Sequence, residues 1–147
     1  MNNSTSYWLK KGIHNGMPIA LGYLAVSFTL GIAAKNAGLT ALQAALASIT
    51  CHASAGEFAG FTLIAALAAY TEIAVMELII NARYFLMSCA LSQKLDNKMP
   101  FFHRLIMGLF VTDEIFGLTV SVPEKLNPAY MYGMVLVASP AWLLGTY

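Results

Sequence analysis

The sequence predicts an all-α, polytopic membrane protein, and three observations carry that expectation. Of 147 residues, 59% are hydrophobic and only 10% are charged, less than half of the roughly 25% that a soluble domain carries. The mean hydropathy is +0.67, and the apolar runs approach the roughly 20 residues that cross a bilayer as a helix. Several of these runs are interrupted near the middle by small and polar residues, the pattern of broken or re-entrant helices. Eight Lys or Arg against seven Asp or Glu leave a net charge of +1. No basic surface is available to hold a phosphate backbone, which excludes nucleic acid as a partner. Cys51 and Cys89 both lie in apolar runs without a spacing partner, so neither a disulfide framework nor a CxxC metal site is supported.

The first span is expected at residues 17–34, after a polar start that ends in Lys10 and Lys11 and carries no small-residue cleavage site; the first helix is expected to be retained. Residues 40–69 follow. As a single helix they would measure about 45 Å, against a hydrocarbon core of about 30 Å. The middle reads Cys51-His52-Ala53-Ser54-Ala55-Gly56-Glu57-Phe58-Ala59-Gly60, so two half-length helices meeting there, broken or re-entrant, are expected. Residues 73–91 are long enough to span, although Glu77, Asn81 and Arg83 stand inside them. A polar patch at 92–104 comes next, then a run at 105–122 interrupted by Thr112-Asp113-Glu114, a turn at 123–128, and a last span at 129–147 containing Pro140.

Positive residues gather before the first run and in the 92–104 patch, which places both at the cytoplasmic side. That requires an even number of crossings between them. It is met if 40–69 dips in and returns to the side it came from. A full span followed by a broken segment occurs twice, the order expected of inverted-repeat transporter folds. The whole chain, 1–147, reads as one transmembrane domain.

Ionisable groups deep in a membrane cost on the order of 3 kcal/mol each, so they face a bundle interior or a wet cavity. Glu57, Arg83, Asp113 and Glu114 each stand at the middle of an apolar run. Arg83 is either a fork for a carboxylate or a structural partner for Asp113 or Glu114. Asp113 and Glu114 are about 100° apart on a regular helix, so one is expected to pair while the other faces elsewhere. Asn81 is either an interhelical hydrogen bond or a ligand. Glu57 stands alone among Gly and Ala, either as a proton-coupling group or as a neutral acid donating to a freed carbonyl. Cys51, His52 and Glu57 lack the spacing of a metal site. Gly56 and Gly60, like Gly12 and Gly16, form a GxxxG pair expected to pack helices closely. Broken helices also expose backbone termini, and such termini suit a zwitterion: an N-terminus favours its carboxylate and a C-terminus its ammonium group.

Three ordered motifs, Ser54-Ala55-Gly56-Glu57-Phe58-Ala59-Gly60, Asn81-Ala82-Arg83-Tyr84-Phe85-Leu86-Met87-Ser88 and Thr112-Asp113-Glu114-Ile115-Phe116, together with Pro18-Ile19-Ala20-Leu21-Gly22-Tyr23, give the chain its resemblance to the AzlC family, the large subunit of branched-chain amino acid exporters. The resemblance implies a bacterial inner-membrane permease exporting leucine, isoleucine, valine or related hydrophobic amino acids, usually with a small hydrophobic partner of the AzlD type. Two departures stand out. Glu57 occupies a position where the family typically has Gln, and family chains continue through further hydrophobic segments, so C-terminal helices are expected to be missing here or supplied by another chain.

The candidate substrate-binding or coupling residues are Ser54, Glu57, Asn81, Arg83, Thr112, Asp113 and Glu114. No metal, cofactor or ATP-binding motif is read, and no enzymatic activity is expected. The expected function is secondary export through a midplane site, in a multi-pass protein of the inner membrane with a cytoplasmic N-terminus. The competing reading is an accessory or assembly subunit whose polar residues only pin helices together; an intramembrane enzyme using Asp113 and Glu114 is a third. Expected partners are the amino acid, the lipid bilayer, the AzlD-type subunit and a second copy of the chain in a homo-oligomer.

Overall fold

The computed structural model describes residues 4–147, and among the described residues seven helices run in the order α1 Thr5–Asn36, α2 Ala41–Cys51, α3 Ser54–Ala65, α4 Tyr70–Lys94, α5 Phe101–Leu109, α6 Asp113–Val120 and α7 Pro128–Thr146. The all-helical expectation holds. Three of these helices, α1, α4 and α7, are long and apolar enough to cross a membrane. Large apolar side chains such as Leu21, Phe28, Leu78, Ile79, Phe85 and Leu86 stand exposed along them. Water would penalise that much uncovered apolar surface, and lipid would not.

The first interruption falls inside the expected small and polar stretch, whereas the second begins just before the expected Thr112-Asp113-Glu114, whose two acidic residues are already helical and open α6. α2 and α3 are separated at His52 and Ala53, and α5 and α6 at Phe110, Val111 and Thr112. With 11, 12, 9 and 8 residues, these helices are about 12–18 Å long, around half of a bilayer core. α1 differs from the expected 17–34 by beginning at Thr5. Its polar first turns are helical because their face packs on α7, which supplies what local composition does not.

The chain divides into two compact units, Met1–Ala20 with Tyr84–Ser139, and Leu21–Arg83 with Pro140–Tyr147. In the first, the α5–α6 pair folds back on itself. Run end to end, α5 and α6 would carry Val120 about 30 Å from Pro100. Instead the Lys94 ammonium at the end of α4 donates to the carbonyls of Val120, at 2.6 Å, and Val122, and Leu126 N–H donates to the Lys94 carbonyl at 3.0 Å. The pair therefore leaves the end of α4 and returns to it. The core of this unit is built from Trp8, Leu91, Met107, Ile115, Tyr130 and Met134. Here Gly12 and Gly16 do what GxxxG predicts: a Cβ on Gly12 would strike the Tyr130 carbonyl, and one on Gly16 would lie 2.9 Å from Met134 Cα.

In the second unit, α1 ends on Gly38, whose φ of +81° suits a residue without Cβ. α2 then starts with a reciprocal cap in which Thr40 Oγ1 accepts from Gln43 N–H and Gln43 Oε1 accepts from Thr40 N–H at 2.9 Å. Along a straight helix Ser48 and Glu57 would be about 13 Å apart, yet the Ser48 hydroxyl donates to Glu57 Oε2 at 2.7 Å. The chain must therefore bend sharply at His52, which sits at φ 47°, ψ 38°. α3 then runs antiparallel to α4, with Gly56 against Asn81 and Gly60 against Glu77. Residues 40–69 thus form two half-length helices that meet at His52, as expected.

Candidate functional site

The joint between α2 and α3 gathers the polar residues of the second unit. α2 ends in carbonyls that no further helical turn can use, and α3 begins at Ala53 without a side-chain cap, so a helix C-terminus and a helix N-terminus meet within the unit. Glu57 lies in the first turn of α3, where the helix dipole favours negative charge. It is 2% exposed, and both carboxylate oxygens are engaged: Oε2 accepts from the Ser48 hydroxyl and Oε1 from the Trp142 indole N–H at 2.9 Å. This corrects the expectation that Glu57 stands alone or donates to a freed carbonyl. Its partners are a serine one turn before the break and a tryptophan brought in by α7.

Trp142 is itself enclosed by aromatic edges. Tyr23 meets it with ring centroids 4.9 Å apart at 74°, and His52 at 5.8 Å and 73°, both in the edge-to-face arrangement that ring quadrupoles prefer. Tyr23 and His52 also approach one another, at 6.4 Å. The left-handed conformation of His52, which costs a residue other than glycine about 1 kcal/mol or more, is held by this ring packing and by its N–H donating to the Ser48 carbonyl at 3.1 Å.

On the other face of α3, Gly56 and Gly60 meet side chains of α4 and not a backbone. A Cβ on Gly56 would lie 2.7 Å from Glu77 Oε2 and 2.9 Å from Asn81 Nδ2, and one on Gly60 would lie 3.0 Å from Glu77 Oε1. This GxxxG pair therefore admits a carboxylate and an amide, where close helix packing was expected. Asn81 Nδ2 donates to Glu77 Oε2 at 2.7 Å, and the Cys51 thiol approaches the same oxygen at 3.9 Å.

Of the seven candidate residues, Ser54, Glu57, Asn81 and Arg83 belong to the second unit and Thr112, Asp113 and Glu114 to the first. Ser54 is the first residue of α3, and Arg83 is half-buried on α4. Thr112 is buried and caps α6, its Oγ1 accepting from Ile115 N–H at 3.4 Å. Asp113 and Glu114 open that helix and are exposed, a placement its dipole favours. Ser48, Tyr23, Glu77 and Trp142 were not among the candidates. Glu77 had the same signal as Asn81, a polar residue inside an apolar run. Ser48, Tyr23 and Trp142 look like ordinary membrane-helix residues until the fold places them.

The family model described as AzlC protein matches residues 18–147. The chain belongs to the AzlC family. It is similar to a protein of Archaeoglobus fulgidus named an uncharacterized membrane protein, 33% identical over 97% of this chain and 62% of the relative. It is also similar to the inner membrane protein YgaZ of Escherichia coli, 21% identical over 92% of this chain and 57% of YgaZ. A Helicobacter pylori membrane protein is 25% identical over 93% and 60%. This AzlC chain thus spans about three fifths of the length of the curated relatives it matches. No solved structure matches it. Family, apolar spanning helices and relatives agree that it is a membrane protein with transmembrane helices.

Proposed function

We propose that this AzlC-family protein is a secondary permease exporting branched-chain or other hydrophobic amino acids. The observation that carries the reading is the α2–α3 joint, where a helix C-terminus, an uncapped helix N-terminus and a buried glutamate meet in a helical membrane protein. A zwitterion finds opposite partial charges at the two helix ends, the C-terminus of α2 for its ammonium group and the N-terminus of α3 for its carboxylate. The apolar surroundings accept an aliphatic side chain. Arg83 supplies a carboxylate fork in the same unit, and in the other unit Asp113 and Glu114 place acidic groups at the start of α6. The reading includes an inner-membrane location with a cytoplasmic N-terminus, a small AzlD-type subunit as partner, and gradients as the energy source.

The test is efflux of preloaded labelled leucine from cells or vesicles carrying the chain, with and without an AzlD-type subunit. Efflux above background is expected, falling at least tenfold in Arg83→Lys and Asp113→Asn at matched membrane levels. Unchanged efflux in Arg83→Lys removes the fork, because lysine cannot form the bidentate pair. Loss of assembly in place of turnover returns the protein to the accessory-subunit reading. Glu57→Gln tests proton coupling: the pH dependence of efflux flattens if Glu57 carries the proton, and an identical profile rules that role out.

A further inference from the structure

Glu77 and Asn81, where α4 packs on the glycine face of α3, form a constellation apart from the hydrogen bonds of the Glu57 cluster. Among the described residues no cationic side chain bonds Glu77; its partners are the Asn81 amide and the Cys51 thiol. Asn81 Oδ1 is buried and has no hydrogen-bond partner. Its orientation is fixed, because turning the amide over would set an oxygen against Glu77 Oε2 in place of the donated N–H. A buried acceptor without a donor costs about 1–3 kcal/mol, and a carboxylate in a membrane-spanning helix needs a counter-charge. α4 therefore presents two acceptors side by side on the face that meets Gly56 and Gly60, where missing side chains make the room. The end of α2, with its unused carbonyls, lies beside them through Cys51, so the helix C-terminus adds a third attraction for positive charge.

We propose that Glu77 and Asn81 Oδ1, held against the Gly56 and Gly60 face of α3, bind a monovalent cation. The cation is the ammonium group of the transported amino acid or an alkali ion that accompanies it. Its role in transport rests on the permease reading; the binding itself does not.

The experiment measures the unfolding midpoint of the purified full chain in detergent, titrated with sodium chloride against choline chloride at equal ionic strength, and with leucine against its keto acid, which lacks the amine. The wild-type midpoint is expected to rise with sodium and not choline if the site takes an alkali ion, or with leucine and not the keto acid if it takes the ammonium group. Glu77→Gln is expected to weaken that response at least tenfold in half-saturating concentration. Should Glu77→Gln fail to fold, Gly60→Ala provides the second variant, since its methyl would crowd Glu77 Oε1 and displace the carboxylate. A wild type insensitive to both cations, or a variant that responds as wild type does, overturns the site. A cation response without leucine efflux overturns the permease reading and leaves the site standing; efflux with an unaltered response in Glu77→Gln does the reverse.

Discussion

Glu57→Ala is expected to destabilise the protein by about 3–5 kcal/mol, since it strands two buried polar groups at about 1–3 kcal/mol each and leaves a void in a packed interior. The Ser48 hydroxyl and the Trp142 indole N–H both donate to this carboxylate, and Ser48 and Glu57 are almost wholly buried, so water cannot take its place. Glu57→Gln should behave differently. Its carbonyl oxygen accepts from Trp142 while its amide donates to the Ser48 oxygen, whose hydroxyl turns to suit, and the cost should stay within about 1 kcal/mol. Unfolding midpoints in detergent, with membrane levels measured in parallel, check both. Equal midpoints for Glu57→Ala and wild type would mean that the cluster does not hold the α2–α3 joint. This contrast separates a structural role from the coupling role: Glu57→Gln keeps the hydrogen bonds and removes only the ionisable group.

Gly133→Val is expected to have the second large effect, because the helix approach it breaks is between backbones. In the first unit a Cβ on Gly133 would meet the Leu9 carbonyl and lie 2.8 Å from Ile13 N and 3.0 Å from Gly12 C. No rotamer relieves a collision with main chain, so α1 and α7 must separate here. Overpacking of this kind costs typically 1–3 kcal/mol and at times more, and the separation also uncovers Trp8 and Tyr130, whose rings pack edge to face at 6.0 Å. A marked fall in folded protein recovered in detergent is the expected outcome. Gly117→Ala is the matched control, since nothing lies within 4 Å of a Cβ there. Equal recovery of the two variants would count against close α1–α7 packing.

The amino-acid sequence by itself determined the class of this protein and the layout of its helices. Composition requires lipid as solvent, because 10% charge cannot coat a soluble surface. The lengths of the apolar runs then separate helices that span from segments that must break, since about 1.5 Å of rise per residue against a core of about 30 Å leaves little choice. The first interruption, at His52–Ala53, was legible as small and polar residues in apolar surroundings; the second was legible only to within a few residues, because Thr112, Asp113 and Glu114 mark the cap and first turn of α6 while the break itself includes Phe110 and Val111. Glu57, Asn81 and Arg83 were legible too, because an ionisable or amide group in such a run is costly without a purpose.

Tertiary structure alone decided what these residues touch. Trp142 reaches Glu57 from 85 positions away in sequence, and neither local periodicity nor composition encodes a contact of that range. The same holds for the two GxxxG pairs, alike in spacing and different in use. Gly12 and Gly16 admit the backbone of α7, while Gly56 and Gly60 admit Glu77 and Asn81. Spacing fixes only that a flat strip exists on a helix face. Which neighbour fills the strip depends on the tertiary packing beyond the bend at His52, which sets α3 against α4 and so brings a carboxylate to a groove that sequence reads as a packing surface.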